Sequence, residues 1–424
     1  MFTTNSLRQS EQLHKEFLKV IPNGSNTLSK CPNRFVNGVY PKFIRRAEGC
    51  VVEDVDRNLY TDYICGLGPI LLGYNNRYIN NAVKNQLSDG TLFSLSSPKE
   101  MSLAETLSNI IPSAKKIKFF KTGSEATSAA VKVARAYTKK DKILVCGYHG
   151  WHDWYSIVND KKAGIPRCLE SLVHKFTYND LDSLRQYFDS DDIAAIIMEP
   201  VVYEEPKNNF LQEVLQIAHA HGALVIFDEI VTGFRFGLSG YQGRFNVVPD
   251  LSCFSKAMGN GFPIAALVGF PDYMNVYERD DFFVSGTFGG DLIGIVAALA
   301  VVDCLEWHNG ITIDKIWASG KRLKDGFNDI CKTYDLESIK CEGYPVRTMF
   351  TFPSIEHKAF FWQECVKQGI LFGYANFISS AHTPLVIENT LNGCEGALRA
   401  LKEVWSDPKS RLEGDVPVEV FRLK

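Results

Sequence analysis

The sequence predicts an α/β protein: a mostly parallel sheet flanked by helices, with a smaller α+β domain assembled from the two ends of the chain. Three observations predict it. Between about residues 104 and 300, short apolar runs alternate with stretches of helical period. Those runs are close to continuously apolar instead of alternating with polar residues, and the flanking segments lose the regularity. A strand that is apolar on both faces needs cover on both, which helical crossovers provide in a parallel sheet.

The strand-like runs lie at 117–120, 143–146, 193–198, 224–227, 251–254 and 265–270. Between the first two, Ala126, Ala129, Ala130, Val133, Ala134 and Tyr137 follow the spacing of one buried helix face. A second helix is expected at 210–221, closed by Gly222. Toward the C-terminus, helices are expected at 313–334, 359–368 and 395–405. The domain reading places residues 51–304 in the large domain and joins 1–50 with 305–424 in the small one. A chain of 424 residues is longer than one compact unit usually needs, so two domains are the natural division.

Composition narrows the class of partner. The apolar fraction is 45% and the charged fraction 22%, as in ordinary globular proteins. With 46 basic and 49 acidic residues the net charge is −3, and no basic run marks a nucleic-acid surface. A small molecule is the expected partner. The 11 cysteines are scattered from Cys31 to Cys394 without a C-x-x-C pair, which supports neither a disulfide framework nor a zinc site. Cys146 and Cys253 fall inside apolar strands and read as small buried thiols. Arg8, Glu11, Lys15 and Glu16 interrupt the N-terminus against a signal sequence, and no apolar run approaches the ~20 residues of a membrane helix. A cytoplasmic location is therefore the expectation.

Four segments hold residues suited to chemistry. Thr122-Gly123-Ser124-Glu125-Ala126 stands between a predicted strand and a predicted helix. Free backbone N–H groups, a hydroxyl and the positive dipole end suit a phosphate there, while a plain Ser124 cap is the simpler alternative. Tyr148-His149-Gly150-Trp151-His152-Asp153 leaves the C-terminal end of a strand, where open α/β sheets bind ligands. Tyr148 can stack on a flat cofactor or pack on its own loop; His149 and His152 lack a third metal ligand at suitable spacing. Asp228 ends a strongly apolar strand, where a carboxylate is costly unless it meets a cation or several donors. A protonated pyridine nitrogen is such a cation, and so is Arg235, for which Glu229 is the better candidate. Lys256 follows the strand 251–254 and precedes Gly259-Asn260-Gly261. It is either a surface residue at a strand exit or a desolvated amine able to form a Schiff base.

In their order and separation, with Lys256 placed 256 − 228 = 28 residues after Asp228, these segments resemble the class III pyridoxal-phosphate aminotransferases. The likeness is strongest to members of the glutamate-1-semialdehyde 2,1-aminomutase type, and it runs from about Ile21-Pro22-Asn23-Gly24 to Ala381-His382-Thr383. It implies fold-type I, with a mostly parallel seven-stranded sheet, and pyridoxal 5'-phosphate as cofactor. Lys256 would form the Schiff base and shuttle protons. Asp228 would keep the ring nitrogen protonated, so that the ring acts as an electron sink. Tyr148 would stack on one ring face and Ile230 pack on the other, with Gly123 and Ser124 holding the phosphate. Gly286-Thr287-Phe288 resembles the segment that reaches the neighbouring subunit's phosphate, which implies a homodimer with sites at the interface.

The substrate-binding positions depart from the aminomutase pattern. Lys30 stands where those enzymes carry a carboxylate-binding arginine, and a lysine cannot make the planar two-pronged contact. Pro384-Leu385 replaces an acidic pair, and Gly290-Asp291 replaces the usual Asn-Pro. The leading expectation is a transaminase that moves an amino group from an amino-acid donor to a carbonyl acceptor of sugar-like or hydroxylated character. An aminomutase making 5-aminolevulinate is the alternative. Racemases and decarboxylases of the same family rank lower, as does a non-catalytic cofactor-binding protein, since both the lysine and the aspartate are retained.

Overall fold

The computed structural model describes residues 6–188 and 192–418. The extreme ends of the predicted terminal segments, 1–5 and 419–424, lie outside the described residues. The chain divides into two compact units, one of Met1–Asn76 with Asp314–Lys424 and the other of Arg77–Ile313. Residues 51–76 thus belong with the terminal segments. The reason lies in strand pairing: β1 (Ile44–Glu48), β2 (Val51–Asp54) and β3 (Leu59–Asp62) form one antiparallel meander, so its members stay together.

The middle unit carries a seven-stranded sheet built from β4 (Lys116–Phe120), β5 (Lys142–Cys146), β6 (Val173–Lys175), β7 (Ile193–Met198), β8 (Leu224–Asp228), β9 (Leu251–Phe254) and β10 (Ala265–Gly269). Its order is β4-β10-β9-β8-β7-β5-β6. All neighbours run parallel except β10, which runs against both β4 and β9. β7, β8, β9 and β10 are buried at every position, as strands covered on both faces must be.

The helix Gly123–Thr138 lies across β7 to β10. Its buried residues include Ala126, Ala129, Ala130 and Ala134, and side chains this small let a helix axis approach a sheet closely. The helix Leu292–Glu306 packs between Arg77–Asp89 and Pro98–Ile110. It is apolar nearly all round, the pattern of a helix with no face to give to water.

The terminal unit extends the meander by a parallel pairing of β3 with β13 (Ile370–Leu371). A second sheet joins β11 (Lys340–Tyr344), β12 (Arg347–Thr351) and β14 (Asn376–Phe377). Two of the departures noted in the sequence have local structural roles in this unit. Pro384 is the first residue of the helix Pro384–Glu403, whose cap is Thr383, so the proline stands where its missing N–H costs nothing. Lys30 ends an exposed turn of 3₁₀ helix, and its charge partly offsets the burial that raises the Asp62 carboxyl above its ordinary range. Among the described residues, no single helix is long and apolar enough to cross a membrane.

Candidate active site

The parallel strands end level with one another. Cys146 pairs with Met198, Met198 with Phe227, and Asp228 with Cys253. The residues just beyond these strand ends therefore gather along one edge of the sheet. β4 runs in the same sense as β9, because β10 opposes both, so the loop to Thr122 opens at that edge too.

Asp228 closes β8 with 2% exposure. Its Oδ1 accepts the Ile230 N–H at 3.1 Å, and its Oδ2 lies 2.8 Å from Nδ1 of His149. This histidine is the residue that the sequence reading did not connect to the aspartate; its pairing was sought with His152 instead. His152 makes a different bond, 2.6 Å from the Ser128 hydroxyl. Glu229 turns away into the body of the unit, accepting from Thr232 Oγ1, the Tyr241 and Gln242 backbone amides and the Gln242 side chain.

Lys256 follows β9 and opens a short 3₁₀ turn with φ of +46°. That left-handed conformation is unfavourable for a lysine and is held in place by its surroundings. Ala257, Met258 and Gly259 behind it are buried, and Ser255 Oγ donates to the Ile264 carbonyl at 2.7 Å. Lys256 itself is half-buried. The Cys253 thiol, also at the end of β9, is pushed well above its ordinary range by burial, with the Asp228 charge adding in the same sense.

The helix start at Gly123 is capped by Thr122 rather than Ser124, in a reciprocal box with Glu125. Ser124 is thereby freed from the capping role. The N–H groups of Gly123 and Ser124 fall in the first turn, which has no intrahelical acceptors for them. A Cβ at Gly123 would stand 2.5 Å from Ile230 Cδ1, so the glycine lets Ile230 lie directly against the helix start. A Cβ at Gly150, which has φ of +107°, would stand 2.4 Å from Ser124 Oγ. Thr127 Oγ1 also donates to the His149 carbonyl at 2.8 Å. The loop carrying Tyr148 is thus seated on the same helix turn. Tyr148 is half-buried, its N–H donates to Glu199 Oε1 at 3.1 Å, and its ring meets Tyr155 edge-on at 5.6 Å. Glu199 is a second residue that the sequence reading passed over; a carboxylate directly after the apolar run 193–198 was its available signal.

Thr287 is exposed, unlike the other predicted site residues, and Phe288 beside it is 58% exposed. Asp291, in place of the usual proline, caps the helix Leu292–Glu306 through the Gly294 N–H and pairs with Lys121 at 2.5 Å. Among the described residues, no group of three His, Cys, Asp or Glu is placed to hold a metal ion.

The site therefore offers a helix start with open N–H groups, a buried carboxylate, a lysine and an aromatic along one sheet edge. A flat, phosphorylated, cationic group fits that donor set. Comparison with known proteins bears on which one. The chain is 42% identical over 326 residues to the 3-aminobutyryl-CoA aminotransferase of Cloacimonas acidaminovorans, covering 75% of this chain and 77% of that protein. It is 33% identical to the glutamate-1-semialdehyde 2,1-aminomutase of Methanothrix thermoacetophila, covering 92% and 96%. The solved structure of the FumI protein of Sphingopyxis sp. MTA144, in its PLP internal aldimine form, superposes with a TM-score of 0.89. That match has 28% identity and covers 97% of this chain and 99% of the other. The fold is accordingly the fold-type I that the resemblance implied. The family model described as aminotransferase class-III matches residues 35–403, a span holding all three sheets and every residue of this sheet edge, and the chain belongs to that family.

Proposed function

We propose that this chain is a pyridoxal-phosphate-dependent transaminase that moves an amino group from an amino-acid donor to a carbonyl acceptor, with Lys256 bearing the cofactor. The observation that carries the reading is the adjacency of two strand ends. β8 closes on the buried Asp228, and β9, hydrogen-bonded beside it, leads directly into Lys256. Bound at that edge, the cofactor supplies an electron sink for the charge left when a proton leaves the substrate carbon.

Each residue has a role that follows from its setting. Asp228 holds a proton on the ring nitrogen, since a carboxylate this deeply buried needs a cation or donors facing it. Lys256 Nζ would take the proton from the substrate α-carbon and deliver it to the cofactor's C4′ carbon, on the far side of the shared nitrogen. Tyr148 and Ile230 cover the two ring faces. Gly123 and Ser124 offer the phosphate their backbone amides and, from Ser124, a hydroxyl. Thr287, exposed on its own chain, serves the phosphate of a second copy, which makes the enzyme a homodimer. The cysteines are all free thiols, in keeping with a reducing cytoplasmic setting.

Lys30 and Pro384-Leu385 favour transamination over the aminomutase reaction. The acceptor carbonyl is either sugar-like or hydroxylated, as the sequence suggests, or a 3-oxoacyl thioester of the kind the 42%-identical relative's name implies. Replacing Lys256 by alanine is expected to abolish both turnover and the visible absorbance of lysine-bound cofactor; turnover retained in that variant overturns the assignment. A spectrophotometric half-reaction screen then decides the substrate. Amino acids and 3-aminobutyryl-CoA are offered as donors, and glutamate-1-semialdehyde is supplied alone. Formation of 5-aminolevulinate from the semialdehyde without a second donor would establish the aminomutase instead.

A further inference from the structure

We infer that His149 is a positioning residue for Asp228, acting through a single proton held on its Nδ1. The inference rests on the reading of Asp228 as the ring-nitrogen partner, and begins from a buried nitrogen that has nothing to bond. The His149 side chain is wholly buried against an Asp228 side chain that is 2% exposed. Its Nδ1 lies 2.8 Å from Asp228 Oδ2, while its Nε2 has no hydrogen-bond partner. An ionised carboxylate can only accept, so Nδ1 carries the hydrogen. A hydrogen on Nε2 would be a buried donor without an acceptor.

The consequence for Asp228 is geometric. The Ile230 N–H holds Oδ1 and the imidazole holds Oδ2. Two donors on two different oxygens fix the carboxylate against rotation about its Cβ–Cγ bond. Each oxygen keeps a remaining acceptor direction, and both are set by the fold rather than by the ligand. The imidazole is itself immobilised: Tyr155 meets it edge-on at 5.2 Å, and the residue's own carbonyl is held by Thr127. An apolar side chain could fill this space without leaving a nitrogen unmet, which is a cost to the fold. What the histidine adds is the donor on Oδ2 of Asp228.

Three measurements on the full-length protein test this. Heteronuclear NMR of histidine-labelled, cofactor-free protein, with His149→Asn used to assign the resonance, is expected to find the hydrogen on Nδ1. Finding it on Nε2 alone overturns the inference. The amide nitrogen of His149→Asn stands as many bonds from Cα as Nδ1 does, whereas His149→Gln carries its donor one bond further out. The asparagine variant is expected to keep cofactor affinity and the donor half-reaction within ~3-fold of wild type, and the glutamine variant to lose ~10–100-fold in that rate with KM changed by less than ~3-fold. Glutamine matching or exceeding asparagine would count decisively against it. A wild-type protein that takes up no pyridoxal phosphate would refute the cofactor reading, while the NMR result still decides where His149 holds its hydrogen.

Discussion

Two adjacent carboxylates, Asp228 and Glu229, are buried for different purposes. Asp228 faces the sheet edge with two donors, whereas Glu229 is enclosed by Thr232, Tyr241 and Gln242 and ties the loop after β8 to the turn at 240–242. Burial raises the Glu229 carboxyl above its ordinary 4.5, with those hydrogen bonds pulling the other way without cancelling it. A raised acid keeps its proton in the folded chain where the unfolded chain has already lost it. Stability from this group is therefore full below the ordinary value and falls as pH rises through the folded one. The difference in unfolding free energy between wild type and Glu229→Gln is expected to decline with pH across that window; denaturant titrations at several pH values measure it, and a flat difference would rule the argument out. At this scale the sequence was legible where chemistry leaves a mark on one strand, as at Asp228 and Lys256. It was silent where two separate loops must meet. Nothing in Tyr148-His149-Gly150 points to a residue 228 − 149 = 79 positions away, and the same is true of Glu199 and the Tyr148 amide.

Helices and strands show the same division between local and distant information. β7 and β9 occupy the residues expected of them, and β4, β5, β8 and β10 differ by a single residue at one end, because continuous apolar runs between polar loops are a local signal. The helix Leu292–Glu306 was not expected, since an all-apolar helix has no periodicity to detect. The last helix begins at Pro384 instead of 395, the proline being a start signal that the apolar spacing overlooked. Two helical glycines carry a matched prediction. In the helix Ile311–Thr333, a Cβ at Gly320 would fall 1.8 Å from the Pro345 carbonyl oxygen. At Gly396, in the helix Pro384–Glu403, it would meet nothing within 4 Å. Gly320→Ala is expected to destabilise by about 1–3 kcal/mol through overpacking, and Gly396→Ala to stabilise by about 0.4–1 kcal/mol, by thermal or denaturant unfolding. Equal effects of the two would show that the backbone at Pro345 yields freely.

For the whole molecule, the sequence marked the strands whose ends line the candidate site more fully than it marked the division into units. Residues 51–76 carry no mark of their allegiance, which is settled by pairing β2 and β3 with strands before and after them in the chain. The proposed homodimer carries its own test. If Thr287 of one copy completes the site holding Lys256 of the other, mixed dimers of Lys256→Ala and Thr287→Ala contain one site with both native residues. Co-refolding the two variants is expected to restore activity that neither shows at wild-type level alone; no gain on mixing would place Thr287 outside the partner's site. The reversed direction of β10 has a further bearing on how such a site can work. A parallel successor to β9 would need a long crossover over the sheet, but an antiparallel one begins at the same edge, only a few residues after Lys256. The lysine is tethered on both sides to central strands, with Ser255 stitched to Ile264 across the loop. Its backbone is held at both ends, so whatever admits substrate and shuts water out must move elsewhere while the stem of this flexible side chain stays a fixed post.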